Sequence, residues 1–175
     1  MDDLRDRIAD DRSKWELKLA RLVPGYEGYK ELKTRRDADR LLREHLVERL
    51  ERQRGLLRDL VIRLTNDGRL QLLKAVDAVE NSLETLTDAF KHSDYGYSGK
   101  TDPIKVDGAL LDRLYEHDLT LLEIVEKLEA AGTVLAEIET LPEEVKRALL
   151  AFDETLKAFA QSARERNRIL TGVEF

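Results

Sequence analysis

The chain has 175 residues, 42% of them apolar and 38% charged, with no cysteine and a formal charge of −6. That length is enough for one domain with its own core. The absence of Cys excludes disulfide frameworks, thiolate metal sites and cysteine nucleophiles, and a reducing, cytoplasmic setting is expected. The opening residues lack the basic start and apolar stretch of a secretory signal. No window reaches the ~18 uninterrupted apolar residues of a membrane span, so a soluble protein is expected.

Only nine Gly and three Pro accompany abundant Leu, Ala, Glu, Lys and Arg, which predicts an all-α protein, because straight-chain residues lose little rotamer freedom in a helix. Leu4, Ile8, Trp15, Leu19 and Leu22 recur near helical spacing, predicting a helix over about 2–22 that Pro24 and Gly25 stop. A second helix is expected over about 30–65, with Leu42, Leu46, Leu50, Leu57, Leu60, Val61 and Leu64 on one face. Asn66-Asp67-Gly68 is a turn signal that would fold the next helix back against it. That third helix, about 69–90, carries Leu73, Val76, Leu83, Leu86 and Phe90.

Periodicity then stops over 91–106, a long segment holding two Gly and a Pro. A fourth helix is expected from near Asp107 through Leu114, Leu121, Ile124, Val125 and Leu128, with Gly132 as a place to bend or break. Thr140 and Glu143 have capping-box spacing ahead of the last helix, where Val145, Leu149, Phe152, Leu156, Phe159, Ala163 and Leu170 alternate by threes and fours. The expected architecture is one domain over 1–175. It is an elongated antiparallel bundle of about five helices, an N-terminal helix plus two long hairpins hinged at 91–106, with coiled-coil-like packing. The apolar stripes are expected to use one another up and leave no polar nest inside that could run a reaction.

Charge is uneven along the chain. Eleven basic against seven acidic residues over 30–63 give +4, and five against thirteen over 107–163 give −8. Acids interrupt the basic helix at i, i+4 pairing distance, which disfavours a phosphate-tracking face and a nucleic-acid partner. The basic helix lying against the acidic region, in its own chain or a neighbour, is an alternative use of the same charges.

Candidate chemistry is sparse. Ser98-Gly99-Lys100-Thr101 ends like a phosphate loop, but Asp94 stands where the earlier glycine belongs and no strand precedes it. His117-Asp118 sits between Leu114 and Leu121, so at least one of the pair points into the bundle. Such a pair is the core of the helical HD-type phosphohydrolases, with His45, His92 and Asp153 as conceivable further ligands. Glu-x-x-His motifs for a dimetal bundle do not occur, and Ser93 and Ser98 near His92 lack a nucleophile elbow. Tyr26 and Tyr29 in PGYEGYK, and Tyr95 and Tyr97 in DYGYSG, place four of five tyrosines in glycine-containing connectors, where they either staple the chain or form a contact patch.

The strings PGYEGYK, RRDADRLLREHLVERL, DYGYSG and DRLYEHD resemble an uncharacterised family of small helical prokaryotic proteins. The resemblance covers about 20–125 and implies no activity or site. The expected function is that of a non-enzymatic helical scaffold or adaptor acting by self-association or protein docking. Tyr26, Tyr29, Tyr95 and Tyr97 would supply contact area and Arg35, Arg36, Arg40 and Arg43 steering, with no cofactor and no small-molecule substrate. The alternatives are a peripheral membrane-associated, stress-response type of protein using its first and basic helices, and a metal-dependent phosphohydrolase centred on His117 and Asp118.

Overall fold

The computed structural model describes residues 14–26, 32–92 and 108–171, with side chains over 14–26, 37–92 and 112–169. The helical turns expected before residue 14, Tyr29, Tyr95, Tyr97 and the Ser98–Thr101 fragment lie outside the described residues. Among those described, every regular element is helical and no strand occurs, so the protein is an all-α helical bundle. The helices are α1 (14–22), α2 (Leu32–Asn66), α3 (Leu73–His92), α4 (Gly108–Glu137) and α5 (Pro142–Thr171), with one 3-10 turn at Leu70–Leu72.

The helix ends follow from local chemistry. After α1, Val23 accepts the Tyr26 N–H at 3.2 Å across Pro24 and Gly25, and Gly25 takes φ +77°, the positive value a type II turn needs at that position. α2 ends in a Schellman motif. Arg69 N–H bonds Leu64 O at 2.7 Å, Gly68 N–H bonds Thr65 O at 3.1 Å, and Gly68 has φ +68°.

Three expectations are corrected. α3 begins at Leu73, behind the 3-10 turn, and runs on to His92. α4 passes through Gly132 unbroken. The Thr140/Glu143 capping box does not form: Leu141 holds the N-cap position ahead of Pro142, Thr140 Oγ1 donates to Asp67 Oδ2 at 2.5 Å, and Glu143 pairs with Lys146. A tertiary acceptor took the hydroxyl that a local cap would have used.

The chain divides into two compact units, 1–45 with 94–121 and 162–175, and 46–93 with 122–161. In the second unit α2 and α3 are antiparallel, as Arg54 to Glu84 and Arg58 to Glu80 show, while Arg49 to Glu129 and Asp67 to Thr140 set α2 parallel to α4. Its interior is mainly apolar: Leu50, Leu57, Leu60, Leu64, Val76, Leu83, Leu128, Phe152 and Phe159 are all sealed, Phe90 packs on Phe159 at 5.3 Å between ring centroids, and Arg49, Gln53 and Thr87 are its buried polar residues. In the first unit Leu19, Val23 and Tyr26 from the α1 segment are buried along with Ala38 and Leu42 of α2 and Leu114 and Tyr115 of α4. Tyr115 donates its hydroxyl to Glu16 at 2.7 Å.

Candidate functional site

The strongest concentration of chemistry lies inside the first unit, where ionised side chains interrupt the apolar interior. On α5 the stripe runs 159, 163, then three residues on to 166, so Arg166 stands where an apolar residue would continue the pattern. On α4 the steps 114, 118, 121 put Asp118 in the same kind of position, and on α2 Asp39 precedes Leu42 by three. All three side chains point inward because their helices' registers leave them no other face.

They find one another there. Arg166 Nε donates to Asp118 Oδ1 at 2.5 Å and one terminal amino group to Asp39 Oδ1 at 2.8 Å, while Arg43 Nε donates to the other oxygen of Asp39 at 2.9 Å. Arg166 and Asp118 are 0% exposed, and the Arg166 side chain is the largest of those fully sealed. Two carboxylates and two guanidinium groups balance in charge. That balance is what makes burial tolerable, since an unpaired buried ion costs several kcal/mol, on the order of 3–5 when one partner is removed.

The geometry is that of a linchpin joining α2, α4 and α5. Two nitrogens of the one guanidinium bond carboxylates on two different helices. No protein-family model matches this chain, no curated protein matches it, and no solved structure matches its fold.

The residues singled out for metal chemistry separate. His117 is half-buried, its Nδ1 without a hydrogen-bond partner, and its neighbour Asp118 is engaged by Arg166. His45 shares the first unit, but His92 and Asp153 belong to the second, where Asp153 binds Lys157. Among the described residues no three His, Cys, Asp or Glu side chains converge as a metal site would require.

Of the residues singled out for partner contact, Tyr26, Arg40 and Arg43 are described with their side chains. Tyr26 is only 5% exposed, so its ring serves as an anchor for the turn after α1. Arg40 is exposed and shared between Asp37 and Glu44 at 3.7 Å each, and Arg43 faces inward onto Asp39. Arg35 and Arg36 lie on the first turn of α2, with their side chains outside the described part.

Much of the basic character of α2 is spent within the chain. Arg49 grips Glu129 through two bonds, at 2.9 and 2.5 Å. The hydrogen bond to that carboxylate holds the guanidinium charged, raising its pKa above the ordinary Arg value against the opposing effect of burial. Arg52 adds a longer contact to Glu129, and Arg54 and Arg58 reach Glu84 and Glu80 on α3. Arg63 donates to the carbonyls of Leu135 and Ile138, satisfying the orphan end of α4.

The same end of the second unit leaves large apolar groups in water. Ile62 and Leu70 beside the α2–α3 turn, and Val134 and Leu141 beside the α4–α5 turn, are 57%, 59%, 50% and 44% exposed. The two turns are tied together by Thr140 on Asp67 and Arg63 on Ile138. No helix among the described residues is long and apolar enough to cross a membrane.

Proposed function

We propose that the chain is a non-enzymatic helical scaffold or adaptor that docks a protein partner or a second copy of itself. The observation that carries this reading is the pinned, apolar end of the second unit. Ile62, Leu70, Val134 and Leu141 stand exposed around two turns that Arg63 and the Thr140–Asp67 bond hold fixed. Scattered single apolar residues on a surface need no explanation, but four at one rigid end make a preorganised contact surface. The sealed Arg166 linchpin supports the same reading, because its charged groups act on one another.

Light scattering over a range of concentrations and in-cell photo-crosslinking from a benzophenone side chain at position 70 or 141 test this together. The expected result is concentration-dependent association or a discrete adduct, abolished in Leu70→Asp/Leu141→Asp with circular dichroism intact. A strict monomer without an adduct from either position sinks the reading.

A further inference from the structure

We propose that the first unit is a bistable element, opening and closing as a whole, with Asp39, Arg166 and Asp118 as its latch. The argument begins with what a buried ion cluster penalises. Closed, the three groups are paired: Arg166 bonds Asp118 at 2.5 Å and Asp39 at 2.8 Å. Fully open, each is hydrated. Any halfway arrangement, with one helix shifted out of register, leaves an ion that is neither paired nor solvated, which is the most costly state available to it. The cluster therefore disfavours intermediates and leaves two populated extremes.

A second argument concerns how deep the closed state lies. A sealed ion trio is commonly no better than a well-packed apolar trio of similar volume, because desolvation offsets most of the attraction. The second unit is nearer the apolar solution, with Leu50, Leu57, Leu60, Val125, Leu128, Phe152 and Phe159 all at 0% exposure, although Arg49, Gln53 and Thr87 are buried there too. The first unit has Arg166 and Asp118 at its centre, and a Tyr115 hydroxyl committed to Glu16. Opening of the first unit returns hydration to four charged groups, Arg43 included. Opening of the second returns mainly apolar surface to water. The latch thus makes the first unit the one that opens at lower free energy, as a single step.

Trp15, the only tryptophan, belongs to the first unit and is half-buried there. Its fluorescence reports that unit alone, and far-ultraviolet circular dichroism reports all the helices. In urea, the Trp15 transition of the full chain is expected at lower denaturant than the main loss of helicity. In native-state hydrogen exchange, amides over 38–45, 112–121 and 162–169 should share one opening, with protection at least about tenfold below that of 50–64, 76–90, 122–135 and 145–161. Asp118→Asn should lower protection in the first set only. Asp39→Leu/Arg43→Met/Asp118→Leu/Arg166→Met, which removes all four charged groups together, should raise it at least about tenfold, equivalent to ~1.4 kcal/mol, and bring the two urea transitions together. Coincident transitions in the wild type overturn the proposal. So does a smooth gradient of protection toward the helix ends, which is ordinary fraying, or a quadruple variant that leaves first-unit protection unchanged or fails to fold.

Discussion

Asp118 on α4 receives Arg166 Nε from α5 at 2.5 Å with neither side chain reached by solvent. Deleting the cation alone takes the Arg166 bond from the sealed Asp118 carboxylate and leaves Asp39 to Arg43. Arg166→Met is therefore expected to destabilise the first unit by about 3–5 kcal/mol, read as a drop in the urea midpoint of Trp15 fluorescence. In the double variant Asp118→Leu/Arg166→Met the loss should be smaller than the sum of the two single losses, with a coupling of about 1 kcal/mol or more. Additive losses would show that the pair does not act as a unit.

The α5 stripe from Val145 to Ala163 is legible in sequence because apolar residues at steps of three and four face the interior in almost any bundle. Following the same steps past Ala163 lands on Arg166, and a search for apolar residues alone passes over it. Asp118 is readable as inward-facing from Leu114 and Leu121, yet its partner lies 48 residues away, a distance no local pattern encodes. Thr140 fails in the opposite direction. Its spacing to Glu143 satisfies a local motif, and the fold brought Asp67 within reach instead. The four apolar groups at the end of the second unit were not legible either, since single Leu, Ile and Val residues signal core until tertiary packing leaves them outside.

Gly132 shows why a glycine can sit inside α4 without breaking it. It is buried against Gln53, and a Cβ there would collide with Gln53 Oε1 and lie 3.1 Å from Leu56 Cδ1. Gln53 is itself buried, and its Oε1, without a hydrogen-bond partner, occupies the space a Cβ at position 132 would need. Gly132→Ala should consequently lower the thermal midpoint, although Ala is about 1 kcal/mol the better helix former. In a Gln53→Ala background the same change should raise it. A stabilising effect in both backgrounds would mean that the close approach is not tight.

Arg49 and Arg52 share one carboxylate and differ in burial, which separates geometry from charge. Arg49 is 9% exposed and meets Glu129 through two bonds; Arg52 is 57% exposed and stands 3.7 Å away. Lysine keeps the charge but loses the planar fork. Arg49→Lys is expected to cost about 1.5–3 kcal/mol and Arg52→Lys no more than about 0.5 kcal/mol, compared by chemical denaturation monitored through helicity. Equal losses would show that charge alone matters at this site.

Glu51 gives the second unit a pH-dependent tie between α2 and α3. The Lys91 ammonium bonds it at 3.0 Å and Arg54 adds a further contact, so its carboxyl is held below the ordinary Glu value of 4.5, against a smaller opposing effect of burial. The folded chain thus binds this proton less tightly than the unfolded chain. The sign follows: the increment is fully present above the ordinary Glu pKa and disappears as pH falls through the lowered value. Both partners are more than a third exposed, so the increment is small and screened by salt. Glu51→Gln should therefore be less stable than wild type near pH 7 at low salt. The difference should close as pH falls through that lowered value and shrink in 1 M NaCl. A gap that persists unchanged at acid pH would show that Glu51 acts through packing instead of its charge.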